Sequence, residues 1–395
     1  MITQSCFPID PRVRKEAEVL SHNGFSVDIL CLQRDNEPSV EKFGLITTFR
    51  IQKYVRHESL IANLRVTLFF FFAAFIKLQL LSFKTKYDLI QIHNMPDFHV
   101  FAAFPQKLTG IPIILDLHDL TPELIKSKWK GRNKFLFNIV KLIEKLSCGF
   151  SDHLITVTEA CKEILIERGT HSEKITLLLN TPDQNIFTSF SQREFNPISS
   201  GVRIIYHGTV SERFGLHIAI EALKIINDKI PGSHLTIFGK YEPRYLEYLN
   251  KLIDKLNLRE NVHLEGGRSF EELNELIRES DLGIVPYIDD PYMNLALSTK
   301  LFEYNACGLP SVSSRLKSLS VIYNDESVAF TKPGDAYDLA EKIISLCSNP
   351  DKRKSMSINA YRILHEISWE KMSLQYLELI NDQIQRTSVP VSENI

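Results

Sequence analysis

Glycine is sparse in this chain of 395 residues, 16 in all, below the usual share of about 7%. None forms a G-x-G-x-x-G after an opening strand or the Gly-x4-Gly-Lys-Ser/Thr of a phosphate-binding loop. That excludes the two common glycine-built nucleotide cradles. The six cysteines, Cys6, Cys31, Cys148, Cys161, Cys307 and Cys347, are scattered without a C-x-x-C pair or zinc-like histidine spacing. They read as reduced, mostly buried thiols, not as a disulfide framework or a metal knuckle. Charge of one sign is also missing, with a net charge of −2, so no global pull toward nucleic acid or membrane is expected. The start of the chain has no basic segment followed by an apolar one, so secretion is not expected. The most apolar stretch, Val66 to Phe83, contains Leu68 to Ile76 but is broken by Lys77 and Gln79. It reads as shorter than the 20 or so apolar residues of a membrane span.

The composition, 44% hydrophobic and 24% charged, is that of a folded chain with enough length for two cores. Apolar runs of strand length alternate with amphipathic stretches, the pattern of a parallel sheet covered by helices. In the first half the spacing predicts strands at Ser26–Leu32, Leu89–His93, Ile111–Leu117, Leu154–Val157 and Ile175–Leu178. In the second it predicts Arg203–Tyr206, His234–Phe238, Val262–Leu264, Leu282–Val285 and Ser311–Ser313. Residues 180–183 and 189–201 read as a linker. The opening strand before Cys6 reads as a stub, or as the remnant of a start lying further upstream.

The most informative stretch is Ser298-Thr299-Lys300-Leu301-Phe302-Glu303-Tyr304-Asn305-Ala306-Cys307-Gly308-Leu309-Pro310-Ser311-Val312-Ser313-Ser314. It describes a polar loop, a short helix, a Gly-Leu-Pro stop and a strand. A helix start leaves backbone N–H groups unpaired and partly positive, a natural seat for phosphate oxygens. Glu303, about one turn deeper, is placed to accept hydrogen bonds from a ribose diol.

This stretch resembles the nucleotide-sugar signature of the retaining glycosyltransferases of GT-B fold, in particular glycosyltransferase family 4, and similar motifs run along nearly the whole chain. The resemblance implies an α/β chain of two Rossmann-like, doubly wound parallel-sheet domains facing a cleft. The first would span 1–188 with a crossing-back helix at 369–386, and the second 201–368. It also implies a nucleotide-diphosphate sugar as donor, a glycan or lipid-linked acceptor, and transfer without cofactor or metal. Asp289-Asp290 is too isolated to read as a metal site.

On that basis Ser298, Thr299 and Lys300 would hold the diphosphate and Glu303 the ribose. Tyr206-His207-Gly208 through Arg213-Phe214-Gly215 matches the loop in which Gly208 admits a ligand closely and Arg213 presents a planar donor fork. The family often has a basic residue directly before the second glycine, where this chain has Phe214, so Arg213 alone carries that role. Lys240, after Ile237-Phe238-Gly239, would be a further phosphate cation. Glu265 to Arg268 and Asp281 to Tyr287 resemble the next two strand ends. In the first half, Asp116-Leu117-His118-Asp119-Leu120-Thr121-Pro122-Glu123 is similar to the acceptor-domain motif. His118 would contact donor sugar or orient the acceptor, with Asp116 or Asp119 as structural partners. Arg12, Arg14 and Lys15, in a motif similar to the family's first helix, read as a solvated face.

One departure stands out. Many family members carry a second Glu eight residues before the ribose-binding one, and here that position is Leu295, which leaves sugar recognition to backbone and Asn294. Two other readings therefore stand beside a transferase: a GT-B nucleotide-sugar epimerase, and a degenerate binding subunit. Residues 51–150 hold 14 Lys/Arg against 7 Asp/Glu. The apolar stretch is expected either as a buried helix or as an interfacial one supported by Lys126, Lys128, Trp129, Lys130, Arg132 and Lys134 on an anionic membrane. The expected location is cytoplasmic, with peripheral attachment to the inner face of the plasma membrane, and nucleic acid is not an expected partner.

Overall fold

The computed structural model describes residues 1–55, 59–128, 134–181 and 193–388. The chain divides into two compact units, Met1–Leu179 together with the segment from Glu370 on, and Asn180–Trp369.

Among the described residues the first unit has eight strands: β1 (Ile2–Cys6), β2 (Val27–Gln33), β3 (Val40–Phe43), β4 (Ile46–Lys53), β5 (Ile90–His93), β6 (Ile113–Leu117), β7 (His153–Thr156) and β8 (Ile175–Leu177). They lie in the order β3-β4-β2-β1-β5-β6-β7-β8, all parallel except β3, which runs antiparallel to β4. β5, β6 and β7 are buried along their whole length, as continuous apolar runs under helices on both faces should be. The opening strand is no stub: β1 is a five-residue interior strand paired with both β2 and β5.

β3 and β4 escaped the sequence reading. In Ile46-Thr-Thr-Phe-Arg-Ile-Gln-Lys burial alternates along the strand, but its buried positions are Ile46, Thr48 and Arg50, so no apolar face marks it in the sequence.

Among the described residues the second unit has six strands: β9 (Arg203–Val210), β10 (His234–Tyr241), β11 (Val262–Glu265), β12 (Leu282–Val285), β13 (Ser311–Ser314) and β14 (Ala329–Thr331). All are parallel, in the order β11-β10-β9-β12-β13-β14. From β9 the chain winds outward to β11, then returns to β12 on the other side. Strand order therefore reverses between β9 and β12, and in the first unit between β1 and β5. Ligands of open α/β sheets bind beyond the carboxyl ends of strands at such reversals.

Local chemistry sets the helix starts. Asp10 caps the helix Pro11–His22, with Pro11 in its first turn, and Ser269 and Glu272 form a capping box on Phe270–Glu279. The last helix, Trp369–Ser388, packs Tyr376, Leu379 and Ile380 against Phe7, Val13, Ile29 and Ile114 in the core of the first unit. The Tyr376 hydroxyl donates to Gln91 Oε1 at 2.6 Å. Of the expected linker, residues 182–192 lie outside the described residues. Beyond them Arg193 donates to the carbonyls of Ser280 and Ile277, and the Ile198 amide donates to Cys347 O, so this stretch is bound to the second unit. All six cysteines are free, and every one except half-buried Cys6 is buried. Burial pushes the Cys31 thiol up to about 11 and that of Cys161 to about 12.

The apolar stretch forms one helix, Leu60–Ser82. Contrary to the sequence reading, its length and composition do suffice to cross a membrane: an 18-residue window within Ile61–Ser82 has a mean hydropathy of 1.8, yet only 17% of that window is buried. Neither a short segment nor a buried core helix describes it.

Gly215 begins the helix Leu216–Lys229 in the left-handed region, φ 66°, and a Cβ there would lie 1.8 Å from the carbonyl oxygen of Pro286. Gly215→Ala is expected to lower stability by about 2–3 kcal/mol, read as a shift in the urea unfolding midpoint; an unchanged midpoint would contradict this packing.

Candidate functional site

The reversal point of the second sheet collects most of the residues singled out in the sequence. β9 delivers His207 and Gly208, and the loop after it carries Arg213 and Phe214 in a short turn, Glu212–Phe214. β12 runs into Pro286 and Tyr287. The two loops touch, with the Ile288 amide donating to Arg213 O at 3.2 Å and the Phe214 ring edge-on to Tyr287 at 5.2 Å.

Into this point runs the helix Thr299–Ala306. Ser298 stands at its cap position, but its side chain caps nothing; Oγ lies instead 3.3 Å from the Tyr287 hydroxyl. The first amides of the helix, at Thr299 and Lys300, therefore have no side-chain acceptor and no carbonyl one turn back. Lys300, only 9% exposed, donates from Nζ to the Tyr287 hydroxyl at 3.1 Å. Its ammonium also faces the rings of Tyr206, Phe214 and Tyr287 at 5.3, 5.2 and 5.6 Å. Among the described residues it pairs with no carboxylate. Three aromatic faces at on the order of 1–2 kcal/mol each return an energy of the same order as the several kcal/mol that burying an unpaired charge costs.

Gly208 has a task within the fold that its sequence did not show. At φ 111° a Cβ would meet Lys300 Cε at 2.8 Å, so the missing side chain makes room for the lysine. Glu303 sits deeper on the same helix, with Oε2 3.0 Å from His207 Nε2 and 12% of its side chain exposed. The contact is an ion pair by distance only, since neither atom has the alignment of a hydrogen bond. The Arg213 guanidinium lies over the Tyr292 ring at 5.4 Å and, among the described residues, meets no carboxylate. Lys240 is exposed near the end of β10, one strand over, opposite Thr209; no contact joins it to Lys300 among the described residues.

Asn294, expected to help read the sugar, is committed elsewhere. Its side chain donates to Asp289 Oδ1 at 2.6 Å and accepts the Lys317 amide at 3.1 Å, bracing one loop against another. Leu295 is buried.

In the first unit, His118 follows β6 and lies beside His93, which ends β5. Around them the sequence reading needs correction. Arg12, read as solvated, is 2% exposed, and Lys15 is buried as well; Arg14 is half-buried, 4.0 Å from Glu18. Arg12 Nε and Nη2 each donate to Asp116 at 2.8 Å, and Nη1 donates to Leu178 O. Glu16 lies 3.1 Å from the same guanidinium. Burial alone would raise the Asp116 carboxyl, but Arg12 and His118 outweigh it and hold it well below the usual range. Glu16 goes the other way, raised by burial and by the Asp116 charge.

Asp116 Oδ2 lies 3.0 Å from His118 Nε2 and 3.1 Å from His93 Nδ1, and these two ring nitrogens lie 3.1 Å from each other. Nδ1 of His118 takes no part in these three contacts. The His118 amide is held by Asn94 Oδ1 at 2.8 Å. His93, Asp116 and His118 are spaced as three metal ligands could be, their ligand atoms within 4.8 Å. The Arg12 guanidinium already occupies both Asp116 oxygens, so these residues do not offer a free cation site.

His93, Arg12, Glu16, His207 and Tyr287 went unread as functional in the sequence. His93 and His207 had a signal, each directly following an apolar run as His118 does, although His207 lies inside β9. Arg12 had none, because its partner lies 104 residues away.

Residues 189–363 match the family of glycosyl transferases group 1, and residues 12–183 match Glycosyltransferase Family 4. An uncharacterised glycosyltransferase of Methanocaldococcus jannaschii is 25% identical over 301 residues, 73% of this chain and 76% of its own. Among solved structures, sucrose-phosphate synthase of Thermosynechococcus elongatus superposes with a TM-score of 0.75 at 19% identity, covering 97% of this chain and 95% of its own. HepE of Anabaena in complex with UDP-glucose gives 0.69 at 15% identity, covering 96% and 98%. The fold is GT-B.

Asp116 yields a pH prediction. Its folded pKa lies below the unfolded value of 3.8, so the unfolded chain takes up that proton first. The stability due to Asp116 is present above that value and is lost as pH falls from it toward and through the lower folded value, by up to about 1.4 kcal/mol per pH unit. Asp116→Asn is expected to cost about 3–5 kcal/mol at neutral pH by stranding Arg12 and to flatten the acid limb by one proton. Chemical denaturation between pH 2 and 7 reads both, and an acid limb as steep as that of the parent chain would refute the assignment.

Proposed function

We propose that this chain, a family 4-like glycosyltransferase of GT-B fold, is a retaining enzyme that moves a sugar from a nucleotide diphosphate to a glycan or lipid-linked acceptor of cell-surface polysaccharide synthesis. The observation that carries the proposal is the Lys300 ammonium, buried without a counter-charge at an uncapped helix start where the sheet order reverses. Two negative phosphates would supply the missing charge, and the UDP-glucose complex of the structurally similar HepE supports that class of donor.

In this reading the amides of Thr299 and Lys300, Lys300 Nζ and Arg213 take up the charge that develops on the departing diphosphate. Ser298 and Tyr287 hold the lysine in place, and Lys240 adds a longer-range positive field. Glu303 accepts from the ribose hydroxyls, with His207 fixing its rotamer. His118, oriented by Asp116, presents Nδ1 to a hydroxyl of donor sugar or acceptor. The acceptor oxygen attacks from the face the nucleotide leaves. With three positive groups on the leaving diphosphate, the scheme requires no metal ion, and transfer is expected to survive a chelator.

Titration calorimetry with UDP, GDP and ADP, followed by turnover on the corresponding sugars, tests the reading. Lys300→Met is expected to weaken diphosphate binding roughly 10- to 100-fold while leaving the free protein as stable as before or more so, since it removes an unpaired buried charge. Glu303→Ala is expected to weaken the nucleotide but not pyrophosphate alone. Equal losses for both ligands would displace the ribose role, and tight binding with no turnover on any donor would leave a binding subunit in place of an enzyme.

A further inference from the structure

Two helices of the first unit turn apolar stripes outward. On Leu60–Ser82 the inward positions Phe70, Ala74 and Leu78 are buried, while Leu64, Leu68, Phe72 and Ile76 are exposed, along with Phe69 and Leu80. On Lys134–Phe150 the exposed residues Phe135, Ile139, Leu142 and Leu146 recur every three or four positions, a single stripe of helical period. Both helices pack on one intervening turn, Asp97–Ala103. Phe98 lies 5.7 Å from Phe71 of the first helix, and Phe101 lies 5.1 Å from Phe150 of the second. Phe104, exposed just after that turn, stacks on Phe150. The two stripes therefore belong to neighbouring elements of one surface.

Charge on this surface is mostly positive, the exposed Asp152 at the end of the second helix being paired with Lys107. From residue 60 to 87 the charged residues are Arg65, Lys77, Lys84 and Lys86, with no Asp or Glu. On the second helix Lys134, Lys141 and Lys145 are exposed and form a stripe about a quarter turn from the apolar one. The acid of that helix, Glu144, is buried and paired with Arg168. Trp129, Lys130 and Arg132, also expected here, lie outside the described residues.

We propose that this face docks on an anionic lipid surface, with both helices lying in the interface and neither spanning it. Leu60–Ser82 cannot leave the fold to cross a bilayer. Its inner side is core, Lys77 rests on the Phe49 ring at 4.6 Å, and Gln79 and Gln106 exchange hydrogen bonds. A second copy of the chain is the poorer occupant, because a two-fold contact would set lysine stripe against lysine stripe. Lipid headgroups neutralise the same lysines while the acyl boundary receives the aromatic and aliphatic side chains. This inference is independent of the transfer reaction.

The test is co-sedimentation of the full chain with vesicles of phosphatidylcholine alone and with about a third phosphatidylglycerol. The anionic vesicles are expected to bind it more tightly, and added salt is expected to weaken that binding. Phe72→Ser with Leu142→Ser should cut binding at least about tenfold; Lys141→Ser with Lys145→Ser should cut only the anionic preference, about fivefold per lysine. These positions are exposed, so folding and UDP binding should be unchanged, which separates failure here from failure of the transferase reading. Equal binding to both vesicle types, no binding to either, or a concentration-dependent dimer that Phe72→Ser dissolves would overturn the proposal.

Discussion

A lysine ammonium buried with no carboxylate beside it is the constraint around which the second unit is arranged. Such a group persists only where something offsets its lost hydration. Here that something is three aromatic rings, one phenol oxygen and a missing Cβ at Gly208. Each contribution is fixed by the sheet. Tyr206 and Gly208 are set by the register of β9, and Tyr287 by the end of β12, while the helix that bears Lys300 comes next in the winding order. None of these neighbours carries a full negative charge, which distinguishes the arrangement from an ion pair.

The first unit shows the same topology with its charges resolved. At its own reversal point a guanidinium is saturated by Asp116 and Glu16, and the two histidines at the strand ends lean on the same carboxylate. A saturated ion pair orients neighbours; an unsaturated cation attracts a guest. That contrast motivates the proposed roles, positioning for Arg12 and Asp116 and binding for Lys300, although all three are buried charged residues on one kind of fold.

Function on the GT-B fold also depends on surfaces that the two sheets do not use. The helix Leu60–Ser82 is apolar on its inner and outer sides, whereas Lys134–Phe150 divides its outer side between leucine-type residues and lysines. The sheet needs only the inner sides. The outer sides leave apolar side chains and lysines exposed together, the pairing on which the lipid-docking proposal rests.

The sequence alone determined what repeats locally. Alternating apolar runs identified ten of the fourteen strands, because a buried parallel strand is uniformly apolar. The helix start at Ser298–Lys300 and Glu303 one turn in were legible because loop, helix and stop are encoded within 17 contiguous residues. Tertiary structure alone decided the partners: that Arg12 is buried on Asp116, that Gly208 makes room for Lys300, that Asn294 is a brace, and that an apolar helix turns half its surface to solvent. Local patterns report a residue's own conformational preference, whereas burial and pairing depend on neighbours a hundred residues away that only the sheet order brings within reach.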